Sequence, residues 1–128
     1  MILGIGCDLI EIERFRTAIS RSGAAFLDRL FTPNEIDYCN RNKDPVFCFA
    51  GRFAAKEALA KALGVGIGSA ISWHDMEILN DEHGKPFVVW KADVEERFGV
   101  AKTHISISHS HTIAMAYAVI ETLDRHPL

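Results

Sequence analysis

At 128 residues and 48% hydrophobic content, the chain fits a single domain able to bury roughly two-thirds of the surface its unfolded form exposes. Its net charge of −3, with both signs interspersed, gives no general electrostatic grip on nucleic acid or anionic membrane, so any basic surface must be local. No apolar run nears the roughly 20 residues of a spanning helix, and Met1-Ile2-Leu3-Gly4 lacks the basic start and cleavage site of a signal peptide, so a cytoplasmic protein is expected. Cys7, Cys39 and Cys48 are odd in number and form no C-x-x-C. They fit three free thiols, at least two of them interior, better than a disulfide framework or a structural zinc.

Residues 2–12 read as a strand whose period of two puts Ile2, Gly4, Gly6, Asp8, Ile10 and Ile12 on one face. Asp8 is the misfit there. A carboxylate in apolar surroundings has to cap the strand end, meet a cation or bind a metal. From Glu11 the period lengthens to that of a short helix, with Ile12, Phe15 and Ile19 on one stripe and Arg14, Ala18 and Arg21 on another. Arg16 and Arg29 add to a local cationic patch, which suits an acidic partner or is simply a solvated helix face. Thr32-Pro33-Asn34-Glu35 has the form of a capping box with Pro at the first helical position, opening a helix to about Cys39.

After a polar turn at residues 40–45, a central helix is expected over residues 46–63, rich in alanine and leucine and ended by Gly64. Glu57 and Lys61 lie within about 40° of each other on one face, which also carries Ala50, Ala54 and Ala60. Taken alone, they form an ordinary i, i+4 pair worth about 0.2–0.5 kcal/mol. Arg52 and Lys56 stand on a flank about 100° or more round, so the helix presents cations on two sides.

The loop Val65-Gly66-Ile67-Gly68-Ser69 follows a helix and precedes a strand, the reverse of a dinucleotide or phosphate-loop fingerprint, and is read as a mobile connector. Residues 71–79 and 87–90 form a hairpin around the turn that contains Gly84-Lys85-Pro86, and residues 92–98 a short helix closed by Gly99. Residues 103–109 and 112–120 alternate as a closing hairpin, with His104, Ser106 and Ser108 on one face and Ile105, Ile107 and His109 on the other. Ala114, Ala116 and Ala118 make a flat face that admits a helix or a second subunit. Residues 124–128 read as a frayed tail. The whole is an α+β fold, an antiparallel sheet packed on the long central helix.

Two chemistries fit poorly. A Ser-His-Asp hydrolase built on Ser106, Ser108 or His109 lacks a G-x-S-x-G elbow. His109 and His111 have no identifiable third zinc ligand. What hangs together is Asp8 and Glu57 as hard oxygen ligands, with Lys61, Arg52, Lys85 and His104 as scattered cationic or hydrogen-bonding groups. Few carboxylates completed by phosphate oxygens and waters is how magnesium is usually held.

Five stretches together resemble the bacterial holo-(acyl carrier protein) synthases, the small type of phosphopantetheinyl transferase. They are Gly4-Ile5-Gly6-Cys7-Asp8-Leu9-Ile10-Glu11-Ile12-Glu13-Arg14, Phe31-Thr32-Pro33-Asn34-Glu35, Arg52-Phe53-Ala54-Ala55-Lys56-Glu57-Ala58 through Gly64, Gly84-Lys85-Pro86, and His104-Ile105-Ser106-Ile107-Ser108-His109. Cys7 and His74 depart from the usual residues at their positions. The resemblance implies transfer of the 4′-phosphopantetheine arm from coenzyme A to a serine of apo acyl carrier protein, releasing adenosine 3′,5′-bisphosphate. It also implies a homotrimer with active sites shared between subunits.

Carried over, Asp8 and Glu57 hold magnesium against the pyrophosphate and Lys61 meets the phosphates. Arg52 and His104 lie near the 3′-phosphate, the Gly84-Lys85-Pro86 turn lies near the adenine, and Arg14 and Arg21 face the acidic carrier. The serine proton goes to a water on the magnesium or to a carboxylate: Glu57, Asp37 or Glu35. A non-catalytic carrier-protein or nucleotide-binding module of the same fold is the alternative.

Overall fold

The computed structural model describes residues 1–91 and 93–123, so the tail expected at residues 124–128 and the first residue of the helix expected at 92–98 lie outside it. Strand β1 (Ile2–Glu11) leads into helix α1 (Ile12–Leu30), followed by α2 (Pro33–Asn40) and the central helix α3 (Val46–Leu63). A hairpin of β2 (Met76–Asn80) and β3 (Pro86–Trp90), the short helix α4 (Val94–Phe98) and a hairpin of β4 (Val100–His109) and β5 (Ile113–Thr122) complete the chain. The strands form two antiparallel sheets, β1-β5-β4 and β2-β3.

Small residues decide how α3 meets the larger sheet. Ala54, Ala58 and Ala62 of α3 and Ala116 and Ala118 of β5 belong to one buried cluster. Across from them on β1, a Cβ at Gly6 would overlap the Ala58 carbonyl oxygen, and one at Gly4 the Ala62 carbonyl oxygen. Helix and strand therefore pack backbone against backbone, and the alanine face of β5 meets a helix of its own chain. The register Asp8↔Ala116 and Gly6↔Ala118 keeps Asp8 on this inner face, beside the helix. The outer face of the same sheet stays open and apolar, with Leu9 60% and Tyr117 45% exposed and Ile5 and Met115 also exposed.

Expected elements recur with three differences. Helix α1 continues to Leu30 across a kink at Gly23, whose φ of 58° and ψ of −140° suit glycine. The segment beyond the kink folds back, so that Phe26 packs on Phe15 with ring centroids 5.7 Å apart. The strand expected from residue 71 begins only at Met76, because Trp73–Asp75 forms a 3-10 turn in which Asp75 accepts from the Ser72 N–H at 3.0 Å. The connector at residues 65–69 is held by an N–H of Gly68 donating to the Ile71 carbonyl at 2.7 Å.

The cysteine reading is corrected most sharply. Cys39 and Cys48 form a disulfide with Cα atoms 5.4 Å apart, while Cys7 is free but exposed. The turn after α2 reverses the chain and sets the end of α2 against the start of α3, within the Cα separation a disulfide spans. Spacing in the sequence gives no sign of that approach.

Lys56 also departs from expectation. It is wholly buried, and its ammonium donates to Glu35 Oε1 at 2.7 Å, the Leu30 carbonyl at 2.9 Å and the Trp73 carbonyl at 3.0 Å. Glu35 is the capping-box residue of α2, and its carboxylate also accepts the N–H of Thr32 and of Ile78, each at 2.8 Å. One buried ion pair thus ties α1, α2, α3 and β2 together.

Candidate active site

Where β1 crosses the last turns of α3, Lys61 Nζ lies 3.2 Å from Asp8 Oδ1 and 3.0 Å from the Cys7 carbonyl. Among the described residues Lys61 makes its ion pair with Asp8, across the helix–strand junction, and not with Glu57 one turn back. Glu57 shares the neighbourhood. Burial raises its carboxyl pKa above the usual range and the charge of Asp8 raises it further, with Lys61 opposing. Two carboxylates close enough to repel, one of them partly desolvated, gain from a cation between them. Among the described residues no group of three His, Cys, Asp or Glu forms a complete metal cage. A pair of hard oxygen donors with open positions suits magnesium, which keeps waters and takes up phosphate oxygens. The residues present fit that ion.

One and a half turns earlier on α3 stands Arg52, 4% exposed. Its guanidinium lies over the Tyr38 ring at 4.6 Å from the centroid, donates from Nη1 to Cys48 Sγ at 3.4 Å and from Nη2 to Asn80 Oδ1, and keeps a buried Nε–H without a partner. Burial lowers its pKa and the field of Glu35 opposes this, but a guanidinium remains charged in proteins. A cavity of about 350 Å³ opens beside it, lined among others by Tyr38, Gly51, Asn80, Gly84, Pro86 and His109. Gly84 sits there because its φ of 83° lets the turn close, with Asp81 accepting the N–H of His83 at 2.8 Å and of Lys85 at 2.9 Å. Arg52 and the Gly84-Lys85-Pro86 turn are therefore brought together, whereas the Lys85 side chain is exposed.

His104 is not brought to this cavity within the chain. It lies on the outer face of β4, where Nε2 is 2.7 Å from Glu121 Oε2 and holds that carboxyl below its usual pKa. The residues of β4 that reach the cavity are Ile107 and His109, the latter ring tilted against Phe47 with centroids 5.0 Å apart. Sequence reasoning also missed Tyr38 and Asn80, which only the tertiary fold sets against Arg52.

The second large cavity, about 750 Å³, lies at the junction of β1, α1 and α3. Phe15, Phe26, Phe53 and Trp73 supply its apolar wall, with Arg14 and Arg29 among its lining residues. Arg14 is solvent-exposed and 3.6 Å from Glu11, and Arg21 is exposed on the same helix. Arg16 drops out of the cationic patch, because Asp44 takes both of its terminal nitrogens at 3.2 and 3.1 Å and Glu13 its Nε at 3.2 Å. His74, unusual in sequence, bonds the Asp28 carbonyl at 2.8 Å.

Known proteins share both the sequence and the fold. A family model described as the 4′-phosphopantetheinyl transferase superfamily matches residues 4–118. The holo-[acyl-carrier-protein] synthase of Protochlamydia amoebophila is 53% identical over 119 residues, 93% of this chain and 98% of that protein. The crystal structure of the Neisseria meningitidis holo-[acyl-carrier-protein] synthase superimposes with a TM-score of 0.89 at 35% identity, covering 95% of this chain and all (100%) of that one. The Helicobacter pylori synthase in complex with coenzyme A gives 0.86 at 35% identity, over 91% of this chain and 99% of that one. With the Asp8 strand and the Glu57–Lys61 helix inside the matched span, the chain belongs to the 4′-phosphopantetheinyl transferase superfamily.

Proposed function

We propose that the protein transfers the 4′-phosphopantetheine group of coenzyme A to a serine hydroxyl of apo acyl carrier protein, with magnesium, and releases adenosine 3′,5′-bisphosphate. The observation that carries this reading is the meeting of Asp8, Lys61 and Glu57 where β1 crosses α3, while the Arg52 cavity opens on another flank of the same helix. In an assembly with shared sites, the pyrophosphate would lie at the carboxylates of one subunit and the nucleotide at the Arg52 cavity of a neighbour. The likeness to a synthase described with coenzyme A supports the same substrate here.

Phosphoryl transfer asks a protein chiefly for positioning and charge neutralisation. Asp8 and Glu57 would hold magnesium, which when bound would supply positive charge against that of the phosphates. Lys61, anchored between Asp8 and the Cys7 carbonyl, would stabilise charge on the departing phosphate. Of the three carboxylates that could take the serine proton, Glu35 is buried and committed to the Lys56 network, whereas Asp37 is exposed and held by Arg41 at 3.0 Å in a surface pair. The proton therefore goes to Glu57, to Asp37 or to solvent.

The exposed apolar face of the β1-β5-β4 sheet supports assembly of the chain as a homotrimer with shared sites. In such an assembly His104, on that outer face, serves a neighbouring subunit's nucleotide. Arg14 and Arg21 supply the cationic face for an acidic carrier. A cytoplasmic role in fatty acid biosynthesis follows from the substrates.

The test is one incubation of purified protein, coenzyme A, magnesium and apo carrier, read by intact mass. A carrier heavier by one phosphopantetheine group is expected. Coenzyme A binding with no mass shift across several carriers would make the chain a binding module instead. Sedimentation of the same sample at three concentrations should give the mass of a trimer.

A further inference from the structure

We propose that Asn80 is a positioning residue for the nucleotide end of coenzyme A, holding the Arg52 guanidinium and the Gly84-Lys85-Pro86 turn in one frame while leaving the charge of Arg52 uncancelled. This rests on the coenzyme A reading above and deepens it.

Asn80 ends β2, and both halves of its amide are used. Oδ1 accepts from Arg52 Nη2, and Nδ2 donates to the Gly84 carbonyl at 2.9 Å. Reversing the amide would set its NH2 against a guanidinium and its oxygen against a carbonyl, so the two partners fix its orientation. The bond to Arg52 couples α3 to the hairpin, and the bond to Gly84 couples the hairpin's own turn to the same atom group.

Arg52 is almost wholly buried, yet among the described residues its contacts are all uncharged: the Asn80 amide, the Cys48 sulfur and the Tyr38 ring. Among the described residues no carboxylate lies within ion-pair distance of it. A buried cation ordinarily takes a carboxylate partner, and an aspartate would occupy the same space as Asn80. Neutral partners orient the guanidinium, whose Nε–H is buried without a partner, and leave its positive charge for an anion entering the cavity. An asparagine here is thus a matter of ligand specificity as well as of packing.

The test is titration calorimetry of coenzyme A and of 3′-dephospho-coenzyme A into the full chain and its variants, with melting temperatures as a fold control. Asn80→Ala should weaken coenzyme A binding about tenfold or more, the scale of one hydrogen bond to a charged group. Placed on Arg52→Ala it should add less than about twofold, because the two substitutions break the same unit. Asn80→Asp keeps an acceptor for Arg52 but cancels its charge. It should weaken coenzyme A more than the dephospho form, with the KM for carrier protein unchanged.

Equal losses from Asn80→Ala with and without Arg52 would overturn the positioning role, as would Asn80→Asp binding like the unmodified protein. Failure of the unmodified protein to bind coenzyme A would instead overturn the functional reading, and this inference with it. Coupling between Asn80 and Arg52 that is equal for both ligands would keep the positioning and reject the 3′-phosphate as the group Arg52 meets.

Discussion

Lys61 and Asp8, 53 positions apart in the chain, meet with Nζ 3.2 Å from Oδ1, so the helix and the first strand share one charged junction. That contact is partly exposed on the lysine side and contributes little to stability. Its value lies in aiming the ammonium. Lys61→Ala should lower turnover about 100-fold or more, as expected for losing one preorganised electrostatic donor, with a melting temperature close to that of the unmodified protein. Asp8→Ala should nearly abolish turnover. Near-normal rates for Lys61→Ala in the carrier mass assay would remove it from the reacting centre.

Arg14 lines the aromatic cavity and not the one beside Arg52. A surface cation of this kind acts on the encounter with an acidic partner more than on a small substrate. Arg14→Glu should raise the carrier KM at least about tenfold while the coenzyme A KM stays within about twofold. Equal effects on both constants would argue against docking at α1.

The parts that were legible in the sequence are those governed by local rules. Thr32 and Glu35 form the capping box, the Glu35 N–H donating to Thr32 Oγ1 at 3.3 Å, because cap geometry needs only residues three apart. Asp8 stood out because a carboxylate on an apolar strand face needs a partner, and Glu57 with Lys61 stood out through helical period. What stayed hidden depends on contacts between distant segments. The second oxygen of Glu35 serves Ile78, 43 positions away, and Lys56, read as an outward cation, is drawn into the core by a carboxylate 21 positions earlier. Arg52 was assigned an anion, but Tyr38 and Asn80 come from two other elements that no period links to α3. Cys39 and Cys48 likewise meet only because a turn reverses the chain.

The Lys56–Glu35 pair is the buried counterpart of the Asp8–Lys61 contact, with both side chains 0% exposed. Burial pushes the Lys56 pKa down and Glu35 opposes this. Removing one member strands the other in the core, which typically costs about 3–5 kcal/mol. Lys56→Met should lose about that much in urea unfolding, whereas Arg41→Ala, which breaks the exposed Arg41–Asp37 pair, should change stability by no more than about 1 kcal/mol. A loss under about 1 kcal/mol for Lys56→Met would mean that the N–H groups of Thr32 and Ile78 satisfy the Glu35 carboxylate without the ammonium.

Glu77 gives the fold a defined acid limit. Burial alone would raise its carboxyl pKa, but hydrogen bonds outweigh it: Thr32 Oγ1 donates at 2.6 Å, Lys91 Nζ at 3.0 Å and Asn34 Nδ2 at 3.2 Å, so the pKa falls below the usual value. A carboxyl with a lower pKa folded than unfolded contributes stability that is complete above its unfolded pKa of about 4.3 and disappears as pH falls through the folded value. Glu77→Gln should therefore be less stable than the unmodified protein at neutral pH. As the pH is lowered below about 4, the difference between the two melting temperatures should shrink. A gap that stays constant from neutral pH into that acid range would show that the amide loses packing or bond geometry, and that the charge of Glu77 does not hold β2 to the start of α2.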